Sequence, residues 1–237
     1  MRLPHKTLER KLFNSGYGYI CAVDEVGMGC LAGPVVVCAV GMTNHFYKKN
    51  HKKLHWIRDS KLLQANHRAK FSEELMKEPN LVYAISQCSP KTIDKLNIYR
   101  AARLAMKRAL KKIEVAGSCR SSPQQSSDYF QAAGVPSRAT PFINTIILVD
   151  GKTKINGVKT EQIPIVKGDR KIFAIACASV IAKVFRDKLM EKYAKKYPGY
   201  GFEKHKGYGT ARHRARLVLM GPSPIHRRSF APVAKLI

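Results

Sequence analysis

Asp24 and Glu25 follow directly on the apolar run Tyr19-Ile20-Cys21-Ala22-Val23, and Asp150 follows Ile146-Ile147-Leu148-Val149. A third short apolar run, Ile163 to Val166, leads through Lys167-Gly168 into Asp169. Ligand and catalytic sites of open α/β sheets gather at the carboxyl ends of strands, so neighbouring strands would bring these four acids to one edge. Carboxylates held that close raise one another's pKa unless a cation sits among them. An all-oxygen ligand set suits Mg²⁺ or Mn²⁺. Two such ions about 4 Å apart can activate a water and stabilise the leaving oxygen of a phosphodiester. A lone Asp after a strand is commonly a helix cap or a turn former. Four so placed carry more weight, because the chain has only sixteen Asp and Glu. Asp187, between Arg186 and Lys188, reads instead as a helix-face ion pair.

The elements that must position these acids follow from hydrophobic period and turn residues. Residues 5–14 form a short amphipathic helix, and 19–23 a strand that stops at the Asp24-Glu25 pair. A Gly/Pro-punctuated turn, 27–34, leads to a second strand at 35–42. The basic stretch 44–56 reads as a loop, 66–78 as a helix stopped by Pro79, and 81–88 as a third strand. One long helix spans 92–113. The Ser-, Gln-, Gly- and Pro-rich segment 115–141 reads as an insertion loop. The fourth and fifth strands lie at 146–149 and 163–166, and a helix of some two dozen residues starts near Lys171 and ends before Pro198. A Gly-rich basic turn and a helix near 210–220 complete the tail. Strands in succession and then strands separated by a helix predict an α/β fold with a mixed five-stranded sheet, flanking helices and a helical C-terminal extension.

Charge narrows the partners. Forty-three Lys and Arg give a formal net charge of +27, and each phosphate such a surface neutralises releases condensed counterions. No apolar run approaches the roughly 20 residues that cross a bilayer, and Met1 to Tyr17 lacks the apolar centre of a secretory signal. The six cysteines form no Cys-x-x-Cys pair, so a disulfide framework or zinc site is not expected, and a reducing cytoplasmic compartment is.

The motifs now carry a resemblance. Val23-Asp24-Glu25-Val26-Gly27-Met28-Gly29-Cys30-Leu31-Ala32-Gly33-Pro34-Val35 resembles the DE-x-GRG-x-LAGPV signature of the ribonuclease HII family. Asp59-Ser60-Lys61-Leu62-Leu63 is similar to its DSK-x-L segment, Asp150-Gly151 to its strand-end DG, and Lys167-Gly168-Asp169 to its KGD. Ala178 to Val184 with Arg186-Asp187 resembles its AAS-x-IAKV-x-RD helix. His205 to Thr210, His213 and Gly221 to Phe230 resemble its C-terminal block. Six blocks in order over residues 7–233 are specific, and mainly 115–141 is unmatched.

The resemblance implies a ribonuclease H-like catalytic domain over 1–198 and a basic extension over 199–237 that contacts the duplex. It implies an endonuclease that hydrolyses the RNA strand of RNA–DNA hybrids and cuts 5′ of ribonucleotides embedded in DNA. The ends would be 5′-phosphate and 3′-hydroxyl, with two divalent ions (Mn²⁺ or Mg²⁺) on Asp24, Glu25, Asp150 and Asp169. The expected setting is DNA replication and ribonucleotide excision repair, by a monomer that a replication clamp could recruit. Cutting only at RNA requires sensing the 2′-hydroxyl. The resemblance gives that task to the backbone of Gly27, Met28 and Gly29 and to Tyr208, stacked beneath a sugar. Ser60 and Lys61 would bind backbone phosphate, or simply form the loop before a helix. Lys204, Lys206, Arg212, Arg214, Arg227 and Arg228 are expected to track the duplex as a patch.

Two positions depart from the family pattern. Met28 stands where the family has arginine, removing one charged contact that Arg170 or Lys171 could replace, and Cys30 stands where proline is common. An alternative is a basic RNA- or DNA-binding protein of the same fold with a weakened centre, against which the intact four acids speak. The related ribonuclease HIII is not expected, since about 17 residues before the first strand leave no room for its N-terminal domain.

Overall fold

The computed structural model describes residues 7–51, 64–118 and 144–237. Its elements, in chain order, begin with α1 (Thr7–Asn14), β1 (Tyr19–Val26), β2 (Val35–Thr43), α2 (Asn44–Asn50), α3 (Ala65–Lys77) and β3 (Leu81–Cys88). There follow α4 (Pro90–Leu96), α5 (Ile98–Ser118), β4 (Thr145–Asp150), β5 (Gln162–Ile165), α6 (Gly168–Lys171) and α7 (Phe173–Lys196). The chain closes with α8 (Phe202–His205), α9 (Ala211–Met220) and α10 (Ala231–Ala234). The strands form one mixed sheet in the order β3-β2-β1-β4-β5, with β1, β4 and β5 parallel and β2 antiparallel to both neighbours. The predicted mixed five-stranded sheet with flanking helices is therefore present.

The period-2 alternation of the strands sorts side chains to two faces. Ile20, Ala22, Cys38, Val40, Ile146 and Leu148 pack on one face with α7 residues Phe173 to Ala182. Cys21, Val23, Val37, Ala39, Ile147 and Val149 pack on the other with the α5 stripe Ala101, Ala105, Ala109 and Ile113. From Phe173 to Val184 every residue of α7 is buried, because this stretch lies against the sheet with α3, α6 and α8 around it. Glu9 of α1 is buried too, and its Oε1 accepts from the amide of Ala174 at 3.2 Å. That carboxylate caps the N-terminus of α7 from a distant part of the chain.

Several boundaries differ from the sequence reading, each for a local reason. Residues 44–50, read as loop, are α2: Thr43 Oγ1 accepts from the Phe46 amide, and Phe46 and Tyr47 are buried against Phe173. The single helix at 92–113 is two. Asn97 sits at φ 68, ends α4, and its Oδ1 accepts from the Arg100 amide to start α5. A separate turn, α6, precedes α7, which begins at Phe173. Helix α5 runs on to Ser118 into the stretch read as an insertion, and 119–143 lie outside the described residues. Among the described residues five cysteines are free and buried, as expected of small apolar side chains. Among the described residues no helix is long and apolar enough to cross a membrane.

Candidate active site

β1 outlasts its parallel neighbour. Its pairing with β4 stops at Val23↔Val149, whereas its pairing with β2 runs on to Val26↔Val36. Asp24 and Glu25 thus lie within β1 rather than beyond it, past its paired edge with β4. Asp24 shares the face of Ile20 and Ala22, and Asp150 that of Ile146 and Leu148, so both are on the α7 side of adjacent strands. Glu25 falls in alternation on the α5 side. Asp169 enters from α6: the Gly168 amide donates to Asp150 Oδ1 at 2.7 Å and ties the 167–169 turn to the end of β4.

These positions are electrostatically one cluster. Asp24 is buried, and its carboxyl is raised well above the usual range, first by burial and then by the charges of Glu25, Asp150 and Asp169. A hydrogen bond with Ser179 of α7 opposes that rise. The Glu25 amide donates to Asp24 Oδ1 at 2.8 Å. The donor set is oxygen throughout, which fits a hard divalent cation. Among the described residues no three such groups already close around one point. Asp187 stands apart, bonded to Lys183 at 2.7 Å and to Arg68 at 3.6 Å, the ion pair the sequence predicted.

Beside the carboxylates lies the glycine turn, and its support comes from residues that sequence reasoning placed elsewhere. Arg227, expected on the duplex-tracking surface, is fully buried. Its Nε donates to Gly33 O at 3.0 Å, Nη1 to Met28 O at 3.0 Å and Nη2 to Gly27 O at 2.6 Å. Arg186 is also fully buried and donates to Pro34 O, Lys206 O and Ala32 O. A charged donor to a carbonyl is worth about 1.5–3 kcal/mol, while an unpaired buried guanidinium costs several kcal/mol. Both arginines are tolerated inside because every arm is engaged. Gly27, at φ 94, must be glycine here, since a Cβ would collide with Arg186 Nε. Gly29 is exposed, with open space where a Cβ would stand.

Tyr208 reaches the same turn through an isolated antiparallel bridge to Cys30, and its half-buried ring has Lys183 Nζ at 5.8 Å and the Arg186 guanidinium carbon at 5.9 Å. The segments that carry Tyr208 and Arg227 are held by imidazoles. The Ser223 amide donates to His226 Nδ1 at 2.9 Å, so His226 carries its proton on Nε2 and donates it to His213 Nε2 at 3.0 Å. His213 Nδ1 then donates to Tyr208 O at 2.9 Å. The chain of donors closes only with both rings neutral, and burial pushes both pKa values down to about 4.

The other expected contacts divide. Lys206 is paired with Glu191 at 2.6 Å, Arg214 Nε donates to Gly209 O, and Lys204, Arg212 and Arg228 are exposed. Arg170 and Lys171 are exposed on α6. Met28 is half-buried and packs against the apolar cluster on the α5 side of the sheet. Ser60 and Lys61 lie outside the described residues. The buried arginines and histidines left no periodic signal, and only the apolar residues before a basic one, as in Val184-Phe185-Arg186, hinted at burial.

With this geometry in place, comparison with known proteins is decisive. The family model for ribonuclease HII matches residues 21–233. A ribonuclease HII of Acholeplasma laidlawii is 40% identical, covering 100% of this chain and 99% of that protein. The chain belongs to the ribonuclease HII family. It is a ribonuclease H, a hydrolase of the RNA in RNA–DNA hybrids. A crystal structure of ribonuclease H2 from Pyrococcus horikoshii OT3 is 26% identical over 92% of this chain and 96% of that one, with a TM-score of 0.62. Bst-RNase HIII in complex with Mn²⁺ covers 98% of this chain and 73% of that one at TM-score 0.63 and 17% identity, a likeness of fold alone.

Proposed function

We propose that this ribonuclease HII uses Asp24, Glu25, Asp150 and Asp169 as its catalytic and metal-binding residues, and cuts 5′ of ribonucleotides embedded in duplex DNA as well as along RNA–DNA hybrids. The observation that carries the reading is the convergence of the four acids at the end of the parallel β1 and β4, where Glu25, Asp150 and Asp169 all load Asp24 electrostatically. The four carboxylates would hold two divalent ions, Mg²⁺ or Mn²⁺. Bound there, such ions activate water and neutralise the charge that develops on the leaving oxygen.

The protein's own groups do the rest. Ser179 fixes the rotamer of Asp24, and the Gly168 amide fixes that of Asp150, so the ligand oxygens are oriented before a cation arrives. The turn 27–29 presents backbone to the ribose and phosphate, and Tyr208 offers the flanking sugar an aromatic face. Water attack in line with the leaving 3′ oxygen gives 5′-phosphate and 3′-hydroxyl ends. Met28 brings no cation to the scissile junction, so recognition there rests on backbone donors.

The test is cleavage of a labelled DNA duplex holding one ribonucleotide, beside an all-RNA hybrid, with Mg²⁺, Mn²⁺ or EDTA. Metal-dependent cutting on the 5′ side of the lone ribonucleotide is expected. Cutting of the hybrid alone would overturn the junction reading, and binding without cutting of either would overturn the catalytic one.

A further inference from the structure

The polar groups of the glycine turn are sorted by direction. The carbonyls of Gly27 and Met28 both point inward, to Nη2 and Nη1 of Arg227. In a trans peptide the C=O and the N–H of the next residue lie in one plane and point opposite ways. The amides of Met28 and Gly29 therefore point away from Arg227, toward the side on which Gly29 is exposed. Neither amide donates to a protein acceptor among the described residues. A strand pair would have engaged both carbonyls and amides. Here a guanidinium takes the carbonyls and leaves two parallel donors outward.

We propose that Arg227 is a positioning residue for ribonucleotide recognition, turning the amides of Met28 and Gly29 outward to meet the ribose hydroxyl and its phosphate. The inference rests on the reading of the turn given above and extends it to a residue some 200 positions away in sequence. Only the planar fork of arginine fits three carbonyls at once; the ammonium of lysine is a point charge without that geometry. Arg227 is itself held in register by its own amide, which donates to Leu31 O at 2.8 Å, and by the bridge of its neighbour His226 to Ala32. Arg186 secures the far end of the same turn, at Ala32 and Pro34.

The experiment compares wild type with Arg227→Lys and Arg227→Ala on a single-ribonucleotide duplex and an all-DNA duplex. Arg227→Lys should raise KM for the lone ribonucleotide and cut the ribo-over-deoxy binding ratio, each by about tenfold or more, with kcat at saturation within about threefold. Millimolar guanidinium should restore the ratio in Arg227→Ala. An unchanged ratio and KM in Arg227→Lys would overturn the proposal, as would a loss of kcat and KM in step with the unfolded fraction. Should the variants not fold, the wild-type amides decide. The Met28 and Gly29 N–H resonances should shift with the ribonucleotide duplex and not with all-DNA, and equal responses to both would overturn it. A wild-type protein that prefers neither duplex would refute the parent reading instead, so the two failures are distinguishable.

Discussion

The carboxylate edge and the C-terminal buttress of the glycine turn treat charge in opposite ways. At the edge, burial and the charges of Glu25, Asp150 and Asp169 raise the proton affinity of Asp24. In the buttress, Arg186 and Arg227 bury two cations with every arm bonded, and His213 and His226 are linked donor to acceptor as neutral rings. One region gathers like charge around Asp24 that a cation would relieve. The other satisfies each guanidinium nitrogen with a backbone carbonyl and so ties the turn to the C-terminal segments. On the proposed reading, chemistry and recognition fall to separate parts of the molecule, with the turn between them.

Breaking the edge should have the largest effect. Asp150→Asn is expected to lower kcat by at least about a thousandfold while the protein still binds duplex, since on the proposed reading it removes a metal ligand and spares the turn. Single-turnover cleavage with a parallel binding titration checks this, and a loss of binding equal to the loss of rate would contradict it.

Acid should instead weaken the buttress. His213 and His226 titrate near 4 when folded and near their ordinary 6.5 when unfolded. Between those values the unfolded chain binds more protons, so their contribution is complete above pH 6.5 and falls as pH drops toward 4. The loss is on the order of 3 kcal/mol per ring at the acid end. Glu9 and Asp24, with raised carboxyls, act in the opposite sense. Urea midpoints of wild type and His213→Phe from pH 7.5 to 4.5 isolate the imidazole share. The variant should have the shallower acid slope, and equal slopes would count against the neutral pair.

Restoring a cation to the turn should have the smallest effect. Met28→Arg lets a guanidinium reach solvent over the apolar face where Met28 packs. It should tighten a DNA–RNA–DNA site by roughly threefold and steepen the logarithmic salt dependence by about one phosphate contact. An affinity unchanged across a salt titration would remove the missing-contact argument.

What could be read from sequence follows the same division. Asp24 and Asp150 stand out in the sequence because each follows directly on an apolar run, and Asp169 because it follows one after Lys167-Gly168, on a chain poor in acids. The strand order puts Asp24 and Asp150 side by side, and the parity of β1 turns Glu25 to the other face, which only the register shows. The buttress was not legible. Arg227 looks like its exposed neighbour Arg228, and nothing local marks it as the partner of carbonyls 194 to 200 positions away. His213 and His226 likewise acquire meaning only by meeting. Helix α2 was missed because seven residues with two buried aromatics give too short a period, and the break at Asn97 because its left-handed backbone lies inside a continuous helical pattern.

The separation of chemistry from recognition is tested most directly by the binding preference of Asp24→Asn for a single-ribonucleotide duplex over the same duplex in all-DNA form. Cleavage should be lost while the preference stays within about threefold of that of wild type measured in EDTA. A preference that disappears with the carboxylate, or cleavage that survives without it, would contradict the account.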